Sequence, residues 1–227
     1  MIKKIILKAN RFTNKNQIDL IPLIYLIIIY LISLFPLNIW DGKTIYELWS
    51  NGEHLAEQIQ FIFYLSASLI SLINIFKNKY KIFSFQNLYW TLFMTFTFFV
   101  AIEEISFLNS IQGNFFELIR ESNVQNEINF HNSKFFQPYL HSSYIVLNLF
   151  LGYFGWKFFP TIDALPKKIN CLYFLLTSLA YTMKELKALV PSSFLFQIPI
   201  HQEIFEFLMS MALFLHALKM LKNYSKT

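Results

Sequence analysis

Runs of apolar residues alternate with polar segments along the chain. The hydrocarbon core of a bilayer is about 30 Å thick, and a helix needs about 20 residues to cross it. Six runs approach that length and predict transmembrane helices near residues 20–37, 59–76, 88–108, 139–159, 172–190 and 204–221. Because the second run is short and the last contains a glutamate, five or seven spans stay open as alternatives.

The basic residues predict how these helices cross the membrane. Five lysines and arginines precede the first run, as in a secretory signal peptide, but the run is longer than the apolar h-region of a typical signal peptide and no small-x-small cleavage motif follows it. We therefore predict a retained first span. A cytoplasmic N-terminus places 14 of the 19 basic residues on the inner side, as the positive-inside rule requires. The prediction is a single-domain, all-α polytopic bundle of about six helices in the cytoplasmic (inner) cell membrane, with both termini in the cytoplasm.

The composition supports this class. Hydrophobic residues make up 55% of the 227 residues and charged residues 15%, with a mean hydropathy of +0.42. A soluble monomer of this size cannot bury so much apolar surface, so the lipid bilayer is the expected partner. The net charge of +5 does not indicate a nucleic acid partner, because the basic residues lie between apolar runs and not on one soluble face. The single cysteine, Cys171, excludes an intramolecular disulfide and a zinc site built on a thiolate pair.

The acidic residues are distributed more unevenly than topology demands. Of the 14 acids, 12 fall in predicted outer loops or outer helix ends, and Asp19 and Asp163 are the two on the inner side. Four of the five histidines share the outer half, whereas His216 lies deep in the last span and is predicted to be a packed core residue. Asp and Glu contribute little to topology, so we expect the functional site at the extracytoplasmic end.

The strongest candidate for chemistry is the pair Glu103 and Glu104, near the end of the third predicted span. Carboxylates at that depth cost several kcal/mol unless they are neutralised, paired or bound to metal. A helix C-terminus disfavours them further, because its dipole is already negative. We predict these two glutamates as catalytic groups. The alternative is an ion pair with Lys184 or Lys187 at the outer end of the fifth span.

Two further segments supply candidate metal ligands. In the outer segment 123–132, Glu127 and His131 have the i,i+4 spacing that lets two helical side chains meet one metal, although the same residues suit a solvated loop. The last span opens with His201, and Glu206 follows one helical turn after the predicted capping residue Glu203. We predict one outer cavity with a divalent metal such as zinc. Its ligands would be Glu127, His131, His201 and Glu206, supported by Ser106, Asn132, Glu203, Glu57, Lys184 and Lys187.

Two motifs in these segments, E-E-x-S at residues 103–106 and N-x-Q-x-E-x-N-x-H-N at 123–132, carry a resemblance. Together they resemble a family of bacterial multi-pass membrane proteins of unknown activity, in which the first motif continues W-G-Q-R. Here residues 107–110 read F-L-N-S, so the arginine of that pattern is missing. A fainter similarity is to the alkaline ceramidase superfamily, which hydrolyses lipid amides with intramembrane zinc. It implies analogous parts for Glu103, Ser106, His131 and His201, but the H-x-x-x-H of its last span is absent.

Three functions are compatible with this pattern. The first is a metal-dependent hydrolase of a lipid or lipid-linked substrate, in which a spare carboxylate activates water. The second is a cation- or proton-coupled transporter that uses the same acids, although no matching acids continue toward the inner side. The third is a non-catalytic assembly or scaffold protein whose outer acids form salt bridges. Bound metal in the purified protein would separate the first function from the third.

Overall fold

The computed structural model describes residues 18–34, 38–40, 43–44, 46, 49, 55–77, 84–104, 137–189 and 202–224. The described elements, in chain order, are α1 (Ile21–Leu34), β1 (Asn38–Trp40), β2 (Lys43–Thr44), α2 (Leu55–Lys77), α3 (Phe85–Glu104), α4 (Gln137–Leu149), a π-helical segment (Phe150–Phe154), α5 (Gly155–Phe158), a 3₁₀ turn (Lys168–Asn170), α6 (Cys171–Leu189) and α7 (Gln202–Tyr224). Strands β1 and β2 form a short antiparallel pair in the otherwise helical fold.

Three of the described helices are long and apolar enough to cross a membrane. They are α2, α3 and the segment Glu203–Asn223 of α7. The predicted helical class, with helices that could span a membrane, is confirmed at this coarser level. The six-span topology and the location of the termini stay predictions.

Helix α2 shows why this fold suits lipid. Its polar residues Gln60, Ser71 and Asn74 are fully buried, whereas Leu69 and Ile73 on its other side are exposed. This is the reverse of an amphipathic helix on the surface of a soluble protein, which turns its apolar face inward. Polar side chains at the interior interfaces, bonded across helices, are typical of membrane bundles.

The register between α2 and α7 is set by two side-chain amides. Gln60 Nε2 donates to the carbonyl oxygen of Glu203 at 3.1 Å, and Asn74 Nδ2 donates to that of Ala217 at 3.4 Å. Both pairs are 143 residues apart in sequence, so equal steps along one helix match equal steps along the other. The two helices are therefore parallel, and both begin at the same end of the bundle.

Helix α3 runs antiparallel to α2. The Ser68 hydroxyl donates to the carbonyl oxygen of Met94 at 3.2 Å, and the Glu104 carboxyl at the end of α3 interacts electrostatically with Glu57 near the start of α2. One end of the bundle thus collects the first turns of α2 and α7 and the last turn of α3. We call it the carboxyl end.

The opposite end, which we call the loop end, is closed by the connection Phe159–Asn170 between α5 and α6. Gln86 of α3 donates to Thr161 O at 2.5 Å and accepts from the Asp163 amide at 3.0 Å. Lys167 Nζ donates to the carbonyl oxygen of Ile162 at 2.8 Å and lies 3.8 Å from Asp163 Oδ1. Burial lowers the pKa of Lys167, and the Asp163 carboxylate opposes that shift. The loop is therefore fixed to α3 by polar contacts.

His216 joins α7 to this loop. Its Nε2 lies 3.0 Å from the carbonyl oxygen of Asp163, and its ring stacks on Trp90 of α3 with centroids 6.0 Å apart. The side chain is 1% exposed, so the prediction of a packed core histidine is confirmed. Because a carbonyl oxygen can only accept, this bond requires the proton on Nε2.

The π-helical segment lets α4 and α6 approach closely. A Cβ atom at Gly152 would lie 3.0 Å from Phe174 Cβ and 3.1 Å from Leu175 Cγ, so the position has no room for a larger residue. Further toward the carboxyl end, the Ser178 hydroxyl donates to the carbonyl oxygen of Ile145 at 3.3 Å. The two helices therefore run antiparallel along their shared length.

Candidate functional site

Glutamates from three helices meet at the carboxyl end. The Glu104 carboxyl interacts most strongly with the carboxyl of Glu206, and then with those of Glu57, Glu203 and Glu103. We call these five residues the carboxyl cluster. Glu57 and Glu203 lie in the first turns of α2 and α7, where the helix dipole favours acids. Glu104 ends α3, where the dipole disfavours an acid, so its position has no such local explanation.

Three tyrosines line the cluster on the side away from the helix ends. The Tyr181 hydroxyl of α6 donates to Glu206 Oε1, and the Tyr181 ring stacks on Tyr144 of α4 with centroids 4.9 Å apart. Tyr64 of α2 interacts electrostatically with Tyr144, Glu104 and Glu206. The carboxyl cluster and these tyrosines together provide carboxyl and phenol oxygens from five helices.

The Tyr64 hydroxyl differs from that of Tyr181. Tyr64 is completely buried, and its hydroxyl has no hydrogen-bond partner among the described residues. The Oε1 atom of Gln60, one turn earlier on α2, is also buried and unpaired. Native structures rarely leave such atoms unpaired, because a buried polar group that makes no hydrogen bond costs about 1–3 kcal/mol. Buried water typically supplies the missing hydrogen bonds of such polar atoms in native proteins.

A histidine and a glutamate flank the tyrosines. His141 Nδ1 of α4 lies 2.5 Å from Glu185 Oε1 of α6, and the imidazole ring lies 5.4 Å from the Tyr181 ring. These two residues are 44 positions apart, and neither belongs to the site that the sequence predicts. Helical spacing could not reveal the pair, because the contact depends on how α4 packs against α6.

Two other groups act on Glu203. Lys184 interacts electrostatically with its carboxyl, as does Tyr46, which lies before α2 in the chain. Burial raises the pKa of Tyr46, and the Glu203 carboxyl raises it further. Next to this point Trp49 packs edge-on against Phe207, with ring centroids 5.2 Å apart. The connection between α1 and α2 therefore contributes to the edge of the cluster.

The predicted site residues fall into two groups. The structure brings together Glu57, Glu103, Glu104, Glu203 and Glu206, and it places Lys184 beside Glu203. The others lie outside the described residues, as does the side chain of Lys187; they are Ser106, Glu127, His131, Asn132 and His201. Within the part of the chain that the structure describes, no three His, Cys, Asp or Glu side chains form a group that could hold a metal ion.

Comparison of the chain with family models, with curated proteins and with solved structures finds no match.

Proposed function

We propose that this protein is an integral membrane hydrolase that acts on a lipid or lipid-linked substrate at the extracytoplasmic face. In this proposal, the carboxyl cluster binds a hydrated divalent cation and activates water. The proposal includes the six-span topology with both termini in the cytoplasm, which places the carboxyl end at the level of the outer head groups.

One observation carries the proposal: four other carboxyl groups interact electrostatically with Glu104, as does the buried Tyr64, whose hydroxyl has no hydrogen-bond partner among the described residues. Several carboxylates cannot all be ionised at close range inside a bundle unless protons or cations neutralise them. The Tyr64 hydroxyl adds an oxygen that could bind the cation or a water in its shell. A cation site therefore accounts for both features together.

The donor atoms favour a hard cation over the zinc expected from the sequence. The described groups of the cluster offer carboxyl and phenol oxygens, and the nearby imidazole of His141 is engaged with Glu185. Magnesium typically binds through one or two carboxylates and keeps several waters, which suits a site where the described part of the chain offers fewer than three metal-capable side chains in one group. We therefore propose Mg²⁺, or a similar oxygen-seeking ion, as the occupant.

The cluster also supplies what hydrolysis needs. A bound divalent cation makes its water easier to deprotonate and polarises a substrate carbonyl or phosphoryl oxygen. A carboxylate that holds the ion through its bound water can take a proton from that water. Glu104 suits this part, and Tyr181 fixes the orientation of Glu206 by donating to Oε1. The scissile bond of a lipid, which lies near its head group, would reach the same depth.

The cation site is tested by binding to the purified protein in detergent. After treatment with EDTA, we expect Mg²⁺ to raise the midpoint of thermal unfolding of the wild type, and mass spectrometry to find bound ion after desalting. Glu104→Gln should abolish both effects, because the amide removes a charge with little change in volume. Glu185→Gln is the matched control outside the cluster and should keep them.

The catalytic part is tested with vesicles of extracted membrane lipids, in which released fatty acids and head groups are measured by mass spectrometry. Cation-dependent release that Glu104→Gln eliminates is the expected result. If the wild type binds no ion and releases nothing from these lipids, the proposal is wrong.

The topology has its own test. Reporter fusions at Lys79, at Lys168 and at the C-terminus should all report a cytoplasmic location. A fusion near Trp40, in the predicted first outer loop, should report the opposite side. An extracytoplasmic signal at any of the first three points would contradict the proposed topology.

A further inference from the structure

A buried polar stripe runs along α2 from the carboxyl cluster toward the loop end. It consists of Gln60, Tyr64, Ser68, Ser71 and Asn74, spaced three or four residues apart and none more than 5% exposed. Residues with this spacing share one face of a helix. From Gln60 to Asn74 the stripe covers about 21 Å at the helical rise of 1.5 Å per residue, so it spans much of the thickness of the bundle.

The stripe is notable for polar atoms without partners. The structure has five buried side-chain atoms without a hydrogen-bond partner among the described residues. Four of them lie where α2, α3 and α7 meet, and the fifth is Asn148 Oδ1 of α4; the four are Gln60 Oε1, Tyr64 OH, Asn74 Oδ1 and Trp90 Nε1. Two are near the carboxyl cluster, and two are near His216 at the other end.

Residues with buried hydroxyl groups lie between the two groups of unpaired atoms along the helices. Ser68 and Ser71 of α2, Thr97 of α3 and Ser210 of α7 are all buried. Each donates its proton to a backbone carbonyl, for example Ser71 to Ala67 O at 2.6 Å and Ser210 to Phe207 O at 2.8 Å. The lone pairs of these oxygens can accept hydrogen bonds from water.

At the far end the stripe reaches a titratable group. Asn74 donates to the carbonyl oxygen of Ala217, and His216 is the preceding residue of α7. Trp90, whose Nε1 is unpaired, stacks on the His216 ring. From there Nε2 contacts the backbone of Asp163, a residue whose side chain is 29% exposed at the loop end. Lys167 lies beside that carboxylate.

We propose that the interface of α2, α3 and α7 holds a file of internal water that conducts protons between the carboxyl cluster and His216. Buried waters typically satisfy polar atoms that the protein leaves unpaired, and a polar interface is where they are found. Each water in the file accepts a proton from one neighbour and releases another to the next, so every oxygen ends with the protons it had. At His216 one ring nitrogen takes up the arriving proton and Nε2 releases its own proton to water at the loop end, where the Asp163 side chain is partly exposed, so the imidazole also ends with one proton and no net bond is made or broken.

The chemistry of the stripe favours the proton over other cations. The stripe between Tyr64 and Asn74 contains no acid or base, and a desolvated metal ion at that depth would need charged groups to neutralise it. A hopping proton needs only oxygens within hydrogen-bond reach. The sequence-based objection to transport, that acids do not continue toward the inner side, therefore does not apply to protons.

Proton flux into vesicles tests the proposal. Purified protein is reconstituted with a pH-sensitive dye inside, and a potassium gradient with valinomycin drives proton entry. Vesicles with wild-type protein should acidify faster than protein-free vesicles. Asn74→Leu removes the polar amide with a similar volume and should slow entry about tenfold, which corresponds to a barrier about 1.4 kcal/mol higher. Asn223→Leu, the same change at an exposed position on α7, should conduct like the wild type.

A second variant keeps the result interpretable if Asn74→Leu folds poorly. His216→Phe retains a ring against Trp90 but removes the nitrogen that exchanges protons, and it should also slow entry. Folding of both variants is checked by size-exclusion chromatography and thermal unfolding. Wild-type entry equal to that of protein-free vesicles would overturn the proposal, as would well-folded Asn74→Leu and His216→Phe variants that conduct normally.

This inference goes beyond the proposed hydrolase and fails separately from it. The flux is measured in EDTA and without substrate, so neither the cation nor the hydrolytic reaction contributes. A protein that conducts protons but releases no lipid product would overturn the hydrolase alone. A protein that binds cation and hydrolyses lipid but does not conduct would overturn the water file alone.

Discussion

Exchanging Glu104 for glutamine is expected to raise the stability of the cation-free protein while it abolishes the response to Mg²⁺. The Glu104 carboxyl has carboxyl groups as its electrostatic neighbours in the described structure. Two unit charges 6 Å apart repel by about 3 kcal/mol at an effective dielectric constant near 20. The exchange should therefore stabilise the cation-free protein by up to about 3 kcal/mol, with the full effect in alkaline buffer where Glu104 is ionised, and each kcal/mol raises the unfolding midpoint by about 2–4 °C for a chain of this length.

The scaffold hypothesis predicts the opposite sign. If a buried ion pair held Glu104, the amide would leave its basic partner without a counter-charge, and stability would fall by about 3–5 kcal/mol. Lys184→Met added to Glu104→Gln should then restore the loss, whereas a cation ligand cannot be rescued by deleting a lysine. Glu185→Gln measures the effect of an amide exchange on a described pair outside the cluster, that of His141 and Glu185. A destabilised Glu104→Gln that Lys184→Met rescues would contradict the cation site.

The helices that are apolar enough to span a membrane can be predicted from the sequence because hydropathy is a local property. The predicted second and third spans, 59–76 and 88–108, correspond to α2 over Leu55–Lys77 and α3 over Phe85–Glu104. The hydropathy of the sequence predicts the start of α2 four residues too late. The first turn of the helix contains Glu57 and Gln58, which lower the local hydropathy although they belong to the helix. The position of Glu103 and Glu104 near the end of the third apolar run can also be read directly from the neighbouring sequence.

The arrangement of the helices could not be predicted from the sequence, because it depends on packing between residues that are far apart in sequence. Nothing in the sequence states that α2 and α7 are parallel or that Gln60 is level with Glu203, which lies 143 residues away. The sequence predicts Glu57 as a supporting residue of a shared outer cavity, but its electrostatic interaction with Glu104 follows from the antiparallel packing of α2 and α3. The polar residues of the stripe on α2 can be recognised in the sequence by their spacing of three or four positions. Which of their atoms lack a partner among the described residues is known only from the structure.

Replacing two buried tyrosines by phenylalanine should give effects of opposite sign. Tyr181 and Tyr64 are both almost completely buried at the carboxyl cluster, and the substitution removes one oxygen from each. The Tyr181 hydroxyl donates to Glu206 Oε1, and a hydrogen bond to a charged group contributes about 1.5–3 kcal/mol. Tyr181→Phe should therefore lower the unfolding midpoint. The Tyr64 hydroxyl has no described partner, so Tyr64→Phe should leave the cation-free protein unchanged or more stable.

The same pair of variants then separates packing from cation binding. If the Tyr64 oxygen binds the cation or a water in its shell, Tyr64→Phe should need more Mg²⁺ for half of the wild-type increase in unfolding midpoint, although the protein itself is no less stable. A loss of about 1.4 kcal/mol in binding would raise that concentration tenfold. Tyr181→Phe is less stable than the wild type but keeps the Tyr64 oxygen. It should therefore lower the unfolding midpoint in EDTA while it changes the Mg²⁺ concentration needed for half of the increase only a little. Thermal unfolding in EDTA and across a Mg²⁺ titration measures both quantities. If Tyr64→Phe needs no more Mg²⁺ than the wild type, the Tyr64 hydroxyl does not contribute to the cation site. Its partner would then be a water molecule of the proposed file.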